Sequence, residues 1–126
     1  MKPIQFTIYG QPVSMKNGRR IVKSKRTSKM MFIRSQKALD YERDFLKQLN
    51  HDPKFPRFQS ISIPVSVNIW AYYSSRRPDL DCELICDCLE KSGILVNDRL
   101  IHEKHFFKAL DKENPRAEIT IRKFQT

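Results

Sequence analysis

The period of apolar and polar positions changes several times along this chain, and each change marks an element. Gln5–Tyr9 (QFTIY) alternates and is rich in strand formers, which predicts a first strand. Gly10, Pro12, Asn17 and Gly18 then punctuate a loop. Arg20–Lys23 and Met30–Ile33 read as short strands around a second basic loop, KSKRTSK. Ala38, Tyr41, Phe45 and Leu49 recur at helical spacing behind Ser35, a natural cap, so a helix is predicted over Ser35–Asn50. HDPKFPRFQS reads as a connector.

Ile61–Tyr73 (ISIPVSVNIWAYY) alternates again as a strand, with Pro64 pointing to an edge or a bulge in its early part. Asp81 is placed to cap a second helix whose apolar face is Leu84, Ile85, Cys88 and Leu89, and which ends at Gly93. Ile94–Val96 leads into an Asn97-Asp98 turn. Leu100–Leu110 and Arg116–Phe124 are expected to close the fold as an antiparallel hairpin around DKENP. The order is β-β-β-α-β-α-β-β. It predicts one α+β (α/β-like) domain over residues 1–126, a mixed sheet with two helices packed on it.

Charge sharpens this picture. The net charge is +10, and residues 1–39 hold ten Lys or Arg and no acid, while the remainder balances. Positive charge gathered in one third of a chain attracts a polyanion. The plainer reading is a solubilising surface, although ordinary surfaces mix both signs. Lys16, Arg19, Arg20, Lys23, Lys25 and Arg26 lie in the two basic loops and their flanks, and are the expected DNA-contacting residues. The chain has no apolar run long enough for a membrane helix, and MKPIQFTIYG lacks the apolar core of a signal peptide. Cys82, Cys86 and Cys88 lie too close together for a disulfide framework. A cytoplasmic location and no membrane partner are expected.

The acids of RRPDLDCELICDCLEKSGILVND carry the candidate chemistry. Asp79 and Asp81 stand at i and i+2, so on extended backbone both point to one side just before a helix. Carboxylates with water and a phosphate oxygen make a shell for Mg²⁺, with Mn²⁺ as the alternative. Asp98 lies beyond the helix and is expected to return to the same end of the sheet. Asp87, on the helix stripe with Glu83 and Glu90, is an auxiliary candidate. Arg76 and Arg77 suit bidentate contact with phosphate. The plain alternatives are that Asp81 only caps its helix, that Asp98 only favours its turn, and that the arginines only neutralise the diacid.

The stretch RRPDLD…DCLEKSGILVNDRLI resembles the core motif of the RusA-type Holliday-junction resolvases, small homodimeric endonucleases. IYGQPVSMKNGRR resembles that family's opening strand and basic loop, and ENPRAEITI its closing strand. The resemblance implies that Asp79, Asp81 and Asp98 are metal-binding catalytic carboxylates. Two positions depart from the family pattern D-x-D-N-x-x-K: Cys82 stands in the Asn position and Ile85 in the Lys position, and the interval from Asp81 to Asp87 is about two residues short. Arg76, Arg77 and Lys91 are the candidates to supply the missing cation.

Zinc is disfavoured. The cysteine spacing suits helical neighbours, and HEKH (His102 to His105) is not the His-Glu-x-x-His of a metalloprotease. Trp70, Tyr72 and Tyr73 are expected mainly in the core, with stacking on unpaired bases as the alternative. One of Phe106 and Phe107 is expected in the core and the other at a dimer interface. The sequence thus predicts a Mg²⁺-dependent endodeoxyribonuclease acting on four-way or other branched DNA. A homodimer would match the near two-fold symmetry of such a junction. The rival is a non-catalytic branched-DNA-binding module of the same fold.

Overall fold

Val65–Tyr73 buries every second side chain, and the sheet is built around it. In a computed structural model the described residues are 1–15, 19–23, 30–51 and 60–125, with only the backbone described for 19–23 and 30–33. The elements are β1 (Ile4–Tyr9), β2 (Arg19–Lys23), β3 (Met30–Arg34), α1 (Gln36–His51), β4 (Val65–Tyr73), α2 (Glu83–Lys91), a short 3-10 turn at Asp98–Leu100, β5 (Ile101–Leu110) and β6 (Arg116–Lys123). The α+β expectation holds, and each predicted element is present with its ends shifted by a few residues. The fourth strand begins at Val65, after Pro64, and Ile61 instead makes an isolated parallel bridge to Leu95.

The expected closing hairpin does not form. The four-stranded sheet runs β1-β6-β4-β5, so β4 separates the last two strands. β4 and β5 are parallel, joined by a crossover through α2, and β6 is antiparallel to both β1 and β4. The reason is visible in the register. Phe6, Ile119, Ile69 and Phe106 form one row across all four strands. β6 buries Ala117, Ile119 and Ile121, whereas β5 is largely exposed and carries charged side chains, which suits it to the edge. β2 and β3 pair with each other as a separate two-stranded sheet.

The row face of the large sheet is covered by the helices. α1 contributes Ala38, Tyr41, Phe45 and Leu49, and α2 contributes Leu84, Ile85, Cys86, Cys88 and Leu89, to one continuous core. Phe45 meets Phe6 edge to face at 6.3 Å. Ser35 caps α1 as expected, accepting the Ala38 amide at 3.2 Å. Gly93 closes α2 at φ +82°, a left-handed conformation that a side chain would strain. The opposite face of the sheet carries Trp70 and Phe107, stacked at 4.6 Å and 42% and 38% exposed. Trp70 is therefore not a core residue, whereas Tyr73 is fully buried and Phe106 packs on the core. Among the described residues no helix is long and apolar enough to cross a membrane.

Candidate functional site

The loop between β4 and α2 carries the diacid, and two other segments hold it in place. Asp81 accepts the Glu83 amide at 2.9 Å through one carboxylate oxygen and the Met15 amide at 2.9 Å through the other. The N-cap position of α2 falls on Cys82, which makes no side-chain cap bond, and Asp81, one residue earlier, instead satisfies the amide of the first helical residue. The bond to Met15 ties the N-terminal loop to the start of the helix. Each carboxylate oxygen has two lone pairs, so Asp81 keeps acceptor capacity after both bonds. The main chain of Asp79 is fixed too, accepting a long 3.3 Å hydrogen bond from the Tyr73 hydroxyl. Burial pushes the Tyr73 phenol up, a hydrogen bond from the Asp81 backbone pulls the other way, and the negative charges of Asp81 and Asp79 add to the upward push. Asp79 and Asp81 therefore lie within electrostatic reach of one hydroxyl.

Basic side chains flank this turn. Arg77 and Pro78 share a pocket of about 230 Å³ with Lys37 of α1 and the segment Gln11, Pro12, Val13 and Ser14. Arg76 lines a different pocket, of about 330 Å³, with Lys108 of β5, whose ammonium donates to the Arg76 carbonyl at 3.0 Å. The two arginines thus diverge around the diacid. Lys37 and Lys108 were not singled out by the sequence, because each is remote from the motif along the chain.

Asp98 sits at the far end of α2. Its amide donates to the Glu90 carboxylate at 3.0 Å, and it precedes β5 at the end where Ile101 lies opposite Val65. The diacid lies on the loop after Tyr73, and that loop returns along the sheet, since Glu83, two residues after Asp81, pairs with Lys104, which lies opposite Val67 near the start of β4. Asp87 points into a different network. Arg34 pairs with Asp87 at 2.9 Å and also with Glu42, and Lys91 reaches both Glu42 oxygens at 3.1 Å. Glu42 is 8% exposed, so these cations satisfy a buried carboxylate between α1, α2 and β3. Lys91 is accordingly occupied away from the diacid.

The position matching the family's Lys is also settled, since Ile85 is fully buried in the core. Glu83, two residues after Asp81, instead pairs with Lys104 of β5 at 2.9 and 3.2 Å. Burial pulls the Lys104 ammonium down, but Glu83, Cys86 and Asp98 outweigh it and hold its pKa above the ordinary lysine value. Asp98 is therefore within electrostatic reach of Lys104.

The cysteines are not metal ligands in waiting. Cys82, Cys86 and Cys88 are buried, and burial pushes each thiol up to about 12. His102 packs against Phe124, and His105 approaches Glu103 at 3.3 Å. Among the described residues, no three His, Cys, Asp or Glu side chains converge closely enough to enclose a metal ion. The oxygen donors at Asp79 and Asp81 do suit a hard cation. Mg²⁺ characteristically uses one or two protein carboxylates with water and substrate phosphate, not a closed protein cage. Of the expected DNA-contacting residues, Arg19, Arg20 and Lys23 lie on β2, while Lys16, Lys25 and Arg26 lie outside the described residues.

Comparison with known proteins fits this arrangement. The sequence pattern of the family Endodeoxyribonuclease RusA matches residues 10–122. The chain belongs to the RusA endodeoxyribonuclease family. It is 37% identical over 70 residues to the Crossover junction endodeoxyribonuclease RusA of Aquifex aeolicus (strain VF5). That match covers 53% of this chain and 56% of the relative, so the chain spans little more than half of the relative it matches. The RusA match takes in the diacid loop, α2, Asp98 and β5, which are the segments that bring Asp81, Glu83 and Lys104 together.

Proposed function

We propose that this RusA-family chain is a metal-dependent endodeoxyribonuclease that resolves four-way or other branched DNA. The observation that carries the reading is Asp81. An acidic side chain is held by two backbone amides at the meeting point of the N-terminal loop and α2, within the matched family region. Asp79 and Asp81, with Asp98, are the proposed metal-binding carboxylates, and Mg²⁺ or Mn²⁺ the proposed ion. Such an ion polarises a phosphate and activates water when bound. The protein's own part is to aim the diacid, to fix the α2 end through the Met15 bond, and to grip the backbone with Arg76 and Arg77 on its two sides. The Arg34 pairing supports a positioning role for Asp87, holding α2 against α1 and β3.

The basic residues Lys16, Arg19, Arg20, Lys23, Lys25 and Arg26 would carry further phosphate contacts. A homodimer would present two such sites to the two-fold junction, and the exposed Trp70–Phe107 stack on the open sheet face is the surface that suits a second copy. A cytoplasmic setting is the natural place for an enzyme of DNA recombination.

The test is a labelled synthetic four-way junction and a matched linear duplex, incubated with Mg²⁺ or EDTA, alongside Asp79→Asn and Asp81→Asn. Symmetric nicks in the junction that need both Mg²⁺ and the two acids are expected. Tight junction binding without cutting under Mg²⁺ or Mn²⁺ would replace this reading with the binding-module rival.

A further inference from the structure

The helix-covered face of β5 ends two rows of the sheet in lysines. Lys104 lies opposite Val67 and Lys108 opposite Ala71, with Phe106 between them packed on the core. Both strand positions share one face, so both ammonium groups reach toward the β4–α2 loop. Lys108 holds the carbonyl of Arg76, three residues before Asp79, and Lys104 holds Glu83, two residues after Asp81. The diacid is thus bracketed from the edge strand. Lys104 is also within electrostatic reach of Asp98, beyond the other end of α2.

Lys104 has an ammonium with three donors, and the Glu83 carboxylate engages two at most. At least one N–H remains for an outside acceptor. The Glu83 pair is exposed, with the two side chains 47% and 39% accessible, so solvent already competes for it. A phosphate can therefore share the ammonium at little cost. Lys91 is committed to Glu42, and the position matching the family's Lys holds the buried, uncharged Ile85.

We propose that Lys104 contacts a phosphate of the DNA strand lying at Asp79 and Asp81, with Glu83 holding the ammonium in position before DNA arrives. The inference rests on the nuclease reading for its location, but the contact itself can be tested separately. A lysine that neutralises one phosphate makes binding more salt-dependent, and its loss makes the salt slope shallower by about one.

The experiment measures junction binding by the whole protein in EDTA across a salt series, and single-turnover cutting in Mg²⁺ at saturating protein, for wild type, Lys104→Ala and Lys104→Arg. Lys104→Ala should flatten the slope by about one and slow cutting by roughly 10²-fold, while Lys104→Arg recovers most of both. Thermal melting should be nearly unchanged in Lys104→Ala, because an exposed pair contributes little. An unchanged slope overturns the inference. A flattened slope with wild-type cutting also overturns it, because the contact then lies away from the reacting strand. If wild type binds but never cuts, the nuclease reading fails, and the salt slope still decides whether Lys104 touches phosphate.

Discussion

The Asp81 carboxylate accepts the backbone amide of Met15 at 2.9 Å across 66 positions of chain. The same carboxylate accepts the amide of Glu83, the first residue of α2. One side chain thus fixes the distance between the N-terminal loop and the helix that follows the diacid.

Replacing Asp81 with Asn should be felt in both stability and activity. The amide group can accept one of the two bonds, but its NH₂ faces the other donor. A lost bond with a poorly satisfied donor costs about 1–3 kcal/mol. Asp79→Asn keeps the Tyr73 bond, which is to the Asp79 main chain. Urea titration should therefore separate the variants, with Asp81→Asn lower in midpoint and Asp79→Asn close to wild type. Cutting should be lost in both.

Glu42 supports a network of charges that joins three elements. Glu42→Ala strands Arg34 and Lys91 beside a vacated, largely buried position. Both cations keep partial solvent access, and Arg34 keeps Asp87, so the expected loss is nearer 1–3 kcal/mol than the 3–5 kcal/mol of a fully buried pair. Denaturation midpoints of Glu42→Ala and Glu42→Gln check this, and a change within about 0.5 kcal/mol in the first variant would contradict it.

The three thiols should resist alkylation in the native protein at pH 8 and react quickly in urea. Burial holds them protonated up to about 12, whereas exposed thiols ionise near 8.5. The folded-state pKa is raised, so the stability involved is fully present below pH 8.5 and is lost as pH climbs toward 12. Melting temperature should fall over that alkaline window, and replacing Cys86 with Ala should reduce the fall.

Restoring the family's Lys at its sequence position should harm the protein. Ile85 is fully buried among core residues, and Ile85→Lys would place an unpaired ammonium there. The cost is several kcal/mol. Expression in the soluble fraction and circular dichroism will report it, and a folded, faster-cutting variant would show that α2 can turn.

The stack of Trp70 on Phe107 gives the proposed dimer a test. Trp70→Arg should shift the molecular mass in solution from two copies toward one. Far-ultraviolet dichroism should be unchanged, because the ring faces away from the helices. Light scattering at several concentrations distinguishes the two masses.

Local pattern announced most of the fold. Ala38, Tyr41, Phe45 and Leu49 marked α1, and alternation marked β1 and β4, because each of those signals is a property of adjacent residues. Strand order was not legible. β5 and β6 are joined by a short turn and so read as a hairpin, whereas the pairing depends on which strand is suited to the sheet edge. The diacid was likewise visible as a motif, although the N-cap position falls on Cys82 and not on Asp81. Its bond to Met15, the Lys104–Glu83 pair and the Arg34–Asp87 pair join residues 66, 21 and 53 positions apart. No local spacing encodes them. The stripe of Glu83, Asp87 and Glu90 was visible as helical spacing, but the partner that each of the three holds from another element was not.

The place of β6 in the sheet has a consequence for how the protein is made. β1 pairs with β6 and with no other described strand, and β6 also supplies the second flank of β4. A ribosome that has synthesised everything through β5 has therefore released a β1 with nothing to zip onto. The loop that delivers the Met15 amide to Asp81 hangs from that unanchored strand. Residues Arg116–Lys123 must emerge before the first strand docks, which makes the folding step long-range and slow relative to helix formation. The Met15–Asp81 bond would thus be completed only once translation has passed β6.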